Sequence, residues 1–231
     1  GMELYRLILD RGNYDPDAWV ERYIECVLRP GWHKDTYLEE YHRAFFDNYA
    51  RGKAPRECGI DDIHIGGISQ IPCLLAGLHK VGVDDLNAQL QTVDTHLNLT
   101  HRNQHVREAA KILTRILHQL AEGADLREAI HFEAGPLAPR PQFETWSAFP
   151  DRTVIGRQLS PACYLPESLT ASLYLCWKYA DDFSQGILAN AHCGGDNCHR
   201  GAVVGSLLGA AQKIPEHWIE GLRASREQVK L

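Results

Sequence analysis

"HCGGDNCHRGAVVGSLLGAA" occupies residues 192–211 and sets two histidines, two cysteines and an aspartate just ahead of a run of small apolar residues. Gly194 and Gly195 permit backbone angles that other residues resist, and Asp196 directly after them suits the N-cap of a helix. Asn197, Cys198 and His199 then fall in the first turn, where unsatisfied N–H groups and the helix dipole favour an anion. Gly201, Gly205 and Gly209 recur every fourth residue. Without side chains there, a second helix can come close, so this helix is expected to lie centrally in the fold.

The ligand types admit several chemistries. Asp196 capping a buried helix, with Cys198 as a small hydrophobe, is the plainest. His192, Cys193, Cys198 and His199 are zinc-type ligands, although a structural zinc site normally draws on two separated pairs. Cys198 is also a candidate thiolate nucleophile at a helix start. Against a Cys198–His199 pair, adjacent helical residues diverge by about 100°.

Working outward, helical periodicity dominates. "DPDAWVERYIECVL" (15–28) opens with Asp15 as N-cap and Pro16 at the first helical position, with Trp19, Tyr23, Cys26 and Val27 at helical spacing. "KDTYLEEYHRAFFDNYARG" (34–52) sets Tyr37, Tyr41, Phe45 and Tyr49 on one stripe, with Gly52 as the stop. In "QHVREAAKILTRILHQLAEG" (104–123) one face gathers Val106, Ala109, Ala110, Leu113, Ile116, Leu117 and Leu120, and Gly123 ends it. Shorter helices are expected in "ADLREAIHF", "PESLTASLYLCWKYA" and "PEHWIEGL". Strand-like alternation is nearly absent. The reading is all-α, one multi-helix domain over 1–231, with the proline-rich residues 134–165 as a long surface excursion anchored by Trp146, Phe149 and Val154.

Bulk composition narrows the function classes. Across 231 residues, 44% hydrophobic and 23% charged side chains are ordinary globular values. A formal charge of −6 and no Lys/Arg clustering argue against a nucleic-acid partner. No apolar run reaches the length of a membrane span and no signal peptide is evident. Gly1 ahead of Met2 reads as a cloning remnant. The seven cysteines lack the spacing of a disulfide framework, which points to a reducing, cytoplasmic setting.

A second stretch, "ECGIDDIHIGGISQIPCLLAGL" (57–78), places Asp61, Asp62 and His64 before Gly66 and Gly67, and then an apolar helix containing Pro72. A proline there marks a kink or a late helix start. The acids read either as a solvated turn or as the polar mouth of a buried helix.

Together the two stretches resemble the ADP-ribosylglycohydrolase family, which includes the J1 crystallins and enzymes that remove ADP-ribose from protein side chains. The family's late signature is roughly Gly-Gly-Asp-Thr-Asp-Thr followed by a small-residue helix. Here Gly194, Gly195 and Asp196 match, "VVGSLLGAAQKIPEHWIEGL" continues it, and Thr100-His101 resemble the family's Thr-His segment. The resemblance runs over residues 2 to 222.

It implies a two-metal magnesium or manganese centre built from a Thr-Asp-Asp near the N-terminus and the late Asp-x-Asp-Thr. Residue by residue, only Asp196 carries over as catalytic carboxylate and metal ligand; Cys198 and His199 stand where the second Asp and the Thr belong. The chain also opens about where the Thr-Asp-Asp has passed. One carboxylate does not hold two such ions, so no bound cofactor is expected. The resemblance further implies an ADP-ribose cleft lined by Asp61, Asp62, His64, Gly66, Gly67, Gly194, Gly195, Asn197, Cys198 and His199. The leading expectation is a divergent family protein with a degenerate dimetal site and a retained cleft for ADP-ribose or ADP-ribosylated protein. The alternatives are an active hydrolase, in which Asp196 helped by Asp61 or Asp62 activates water, and a non-enzymatic crystallin-like protein.

Overall fold

A computed structural model describes residues 1–32 and 37–222. Those residues form helices and turns with no β-strand among them, as the periodicity predicts. They fall into two compact units, Gly1–Arg115 with Cys163–Pro166, and Ile116–Ala162 with Glu167 onward.

The first unit carries α1 (Met2–Arg11), α2 (Pro16–Leu28), α3 (Glu40–Ala50), α4 (Ile71–Lys80), α5 (Leu86–Leu97) and the greater part of α6 (Gln104–Ala121). Asp15 caps α2 as expected, its carboxylate accepting from the backbone of Asp17 and Ala18 at 3.0 and 3.2 Å, and Pro16 needs no donor there. Trp19, Tyr23 and Cys26 are buried along one face of α2. α1 lies so close on α4 that a Cβ at Gly77 would sit 2.9 Å from the Ile8 side chain. Pro72 occupies the first turn of α4, so it marks a late helix start rather than a kink.

The helix expected over 34–52 begins at Glu40. Lys34 to Thr36 lie outside the described residues, and Tyr37, ahead of the helix, is 62% exposed and leaves the stripe. Tyr41 and Phe45 remain as its buried anchors.

The second unit carries the end of α6, then α7 (Leu126–Ala134), α8 (Arg140–Ser147), the one-turn α9 (Asp151–Thr153), α10 (Glu167–Lys178), α11 (Phe183–Cys193), α12 (Asn197–Ala211) and α13 (Glu216–Gly221). α10 is buried on every face from Ser168 to Cys176. It tolerates Ser172 because that hydroxyl donates to the Ser168 carbonyl at 2.8 Å. α12 packs against α7, α10 and α11, with Val203, Val204, Leu207 and Leu208 buried.

The proline-rich stretch 134–165 is built largely from short helices, because its prolines stand at helix starts: Pro139 precedes α8, Pro141 lies in its first turn and Pro150 precedes α9. Phe143, on α8, is its principal anchor and is fully buried beside Tyr174. Val154 is buried as expected, whereas Phe149 falls in the turn between α8 and α9 and is 51% exposed. No described helix is long and apolar enough to cross a membrane, and all seven cysteines are free thiols.

Candidate functional site

In the second unit, α11 ends at Cys193 and the chain turns through Gly194 and Gly195, both at positive φ (74° and 68°), into α12. Gly195 is doubly constrained, since a Cβ there would lie 2.0 Å from the Pro161 carbonyl oxygen. That same carbonyl accepts the Asp196 N–H at 3.0 Å. Asp196 then caps α12, its Oδ1 accepting the His199 N–H at 3.1 Å.

His199 also brings Nδ1 to 3.2 Å from the same Oδ1, so carboxylate and imidazole form a pair, both largely shielded from solvent. Asn197 and Cys198 in that first turn are exposed. His192, Cys193, Cys198 and His199 do not assemble a metal cluster: no three of their ligand atoms gather within 4.8 Å of one another. Cys193 ends α11 buried, its thiol pushed up by burial, while Cys198 opens α12 on the outside.

Beneath this turn lies a residue that the pattern reading did not single out. Arg200 is 1% exposed, and its guanidinium donates to Asn190 Oδ1 at 2.7 Å, the Gly194 carbonyl at 2.8 Å, Asn197 Oδ1 at 3.0 Å and the Asn190 carbonyl at 3.1 Å. Burial pulls its pKa down, opposed by the nearby Cys193 and Asp196. Every one of those hydrogen-bond acceptors is neutral, so the cation is held by oriented dipoles. A single arginine entering an apolar small-residue run is the sequence signal that could have found it.

The first unit arranges the other expected residues. Asp61, exposed, accepts from Asn103 Nδ2 at 2.6 Å, and Asp62 Oδ1 accepts the His64 N–H at 2.6 Å. His64 is buried and its Nδ1 accepts the Gly66 N–H at 2.8 Å, which places the proton of the neutral ring on Nε2. Two backbone hydrogen bonds, Ile65 N–H to the Cys163 carbonyl at 2.8 Å and Leu165 N–H to the Ile63 carbonyl at 2.9 Å, hold this loop against residues 163–165. Gly66 and Gly67 are both buried, and their missing side chains make room for other groups. A Cβ on Gly66 would lie 2.7 Å from the Tyr41 hydroxyl, and one on Gly67 would lie 2.9 Å from the His101 ring.

A profile of the ADP-ribosylglycohydrolase family matches residues 2–230. This chain belongs to the ADP-ribosylglycohydrolase family. It is similar to the ADP-ribosylarginine hydrolase Tri1 of Pseudomonas putida (strain GB-1), at 26% identity over 140 residues, 59% of this chain and 37% of that protein. The chain thus matches little more than a third of that relative's length. Among solved structures, an ADP-ribosylglycohydrolase-related protein complex shares the fold, with a TM-score of 0.62 at 22% identity, covering 97% of this chain and 74% of the other. The all-α ADP-ribosylglycohydrolase fold expected from the sequence is therefore the fold observed.

Family hydrolysis relies on hard divalent ions, which want several oxygen donors. The Gly194–Arg200 segment offers one carboxylate already engaged by His199, an imidazole, an exposed thiol and a buried guanidinium. That donor set, taken by itself, does not fit a magnesium or manganese pair.

Proposed function

We propose that this chain is a divergent member of the ADP-ribosylglycohydrolase family that binds ADP-ribose, free or attached to protein, with its dimetal site degenerate. One observation carries the reading: Asp196, the late carboxylate, caps α12 and pairs with His199. Its Oδ1 is already engaged by the His199 N–H and imidazole, and a single carboxylate is few donors for two hard ions. Gly194, Gly195, Asn197 and Cys198 offer ligand contacts at the start of α12, where N–H donors suit a phosphate or ribose oxygen. Asp61, Asp62, His64, Gly66 and Gly67 are the ligand-facing residues proposed for the first unit.

The test is calorimetric titration of ADP-ribose with and without magnesium, beside a hydrolysis assay on protein ADP-ribosylated at arginine or serine. Weak binding indifferent to magnesium, without turnover, is the expected result. Magnesium-dependent turnover lost in Asp196→Asn overturns it.

The Asp196–His199 pair also favours a second reading, hydrolysis without metal. A carboxylate 3.2 Å from Nδ1 steers an imidazole into the position of a general base. The base would take a proton from water as that water attacks the anomeric carbon and the glycosidic bond breaks toward the leaving nitrogen or oxygen, which is then protonated. Turnover that persists in a chelator and is lost in His199→Gln supports this reading. Absence of turnover in the chelator rejects it.

A further inference from the structure

Away from these residues, the first unit holds a concavity of about 460 Å³ lined by Arg56, Thr95, Asn98, Leu99, Arg102 and Arg107. Among the described residues, three guanidinium groups and no carboxylate line one space, in a chain whose formal charge is −6. We propose that this concavity is a binding site for a phosphate-bearing small molecule, the guanidinium groups gripping its phosphoryl oxygens.

The hydrogen bonds show which donors are already committed. Arg56 pairs with Asp17, and Arg107 reaches Asp94 at 3.6 Å and the Asn98 side chain. Arg102 donates only to backbone carbonyls, of Arg56 at 2.7 Å and of Asn98 at 3.4 Å, and among the described residues no carboxylate lies within ion-pair distance of it. The Nε of Arg107 is buried and has no acceptor among the described residues.

Capping explains part of the cluster, because cations suit the C-terminal end of α5 and Arg102 meets the Asn98 carbonyl there. It leaves the Arg102 charge uncompensated, and an oxyanion in the concavity meets it. Guanidinium forks bind phosphoryl oxygens through paired hydrogen bonds. The space exceeds that of a lone phosphate, so an organic carrier fits beside Leu99 and Thr95.

Inorganic pyrophosphate in magnesium-free buffer is the probe, titrated calorimetrically into the full chain. Saturable binding is expected, weakened by added salt, with the dissociation constant raised about tenfold or more in Arg102→Ala. Thr95→Glu places a carboxylate at the rim on the exposed face of α5 and removes no charged donor, so it is expected to abolish binding while circular dichroism stays unchanged. No saturable binding, or wild-type affinity in both variants, overturns the proposal. ADP-ribose is the second arm. If it displaces pyrophosphate and both variants weaken it, the phosphate comes from a nucleotide; if pyrophosphate stays bound, the carrier is a different phosphate ester.

Discussion

The Nε of Arg200 lies 2.7 Å from the side-chain oxygen of Asn190, joining the first turn of α12 to the last turns of α11 beneath the Gly-Gly-Asp turn. Asn190 completes the link by donating through Nδ2 to the Asn197 carbonyl at 3.2 Å. Removing the guanidinium in Arg200→Met would strand the acceptors at Asn190, Gly194 and Asn197. A loss of about 3 kcal/mol or more is expected in urea unfolding. Arg200→Lys should not restore it, since an ammonium cannot span those four acceptors. A loss below about 1 kcal/mol would mean that water replaces the guanidinium readily.

The two glycines of the turn should respond unequally. At Gly194 only the backbone conformation opposes a side chain, φ 74° with ψ −165°, so Gly194→Ala should cost about 1–3 kcal/mol. Gly195→Ala adds the collision with the Pro161 carbonyl and should displace the turn, with a larger fall in melting temperature. Equal falls would show that the 159–162 backbone yields.

Along the glycine stripe of α12, the closest approach is not at the middle. A Cβ at Gly205 would rest 3.6 Å from Ile187, ordinary contact, whereas one at Gly201 would press within 3.0 Å of Asn190 Nδ2. Gly205→Ala is therefore expected to be neutral or to stabilise by up to about 1 kcal/mol through helix propensity, and Gly201→Ala to destabilise. Asp196→Ala should cost about 1 kcal/mol through the lost cap. Thermal melts of the three variants check the order.

His96 carries a pH prediction. It is buried on α5, its Nδ1 hydrogen-bonded with the Tyr14 hydroxyl at 3.0 Å, and burial depresses its pKa from the usual 6.5 to about 3. Between those values the unfolded chain binds a proton that the folded chain refuses. Stability is thus complete above pH 6.5 and declines as pH falls toward 3, by about 1.4 kcal/mol per pH unit. Urea midpoints measured from pH 7 to pH 4 should show this slope, and His96→Gln should flatten it. An unchanged slope in the variant would assign the acid sensitivity to other groups.

His96 also explains why part of the fold escaped the hydrophobic pattern. α5 buries Gln89 and His96, satisfied by the Val83 carbonyl and by Tyr14, so two of its core positions read as polar and its apolar stripe is broken. α2, α6 and α12 were legible because caps, apolar spacing and glycine all agree locally. At the site, the Asp196 cap followed from its immediate neighbours. The buried state of Arg200 did not, because its acceptors come from the end of α11, the glycine turn and the first turn of α12, and only the folded backbone brings them around one guanidinium.

The pairing of Ile65 with Cys163 imposes an order in time. Translation runs from the N-terminus at about 5–20 residues per second, and the 163–165 segment follows the His64 loop by about a hundred residues. On the ribosome the loop therefore waits on the order of ten seconds with the Ile65 amide and the Ile63 carbonyl still open to water or to another chain. A nascent chain stalled short of Cys163 would present the Asp61–Gly67 segment unfastened, a target for chaperones and proteases that the finished protein no longer offers.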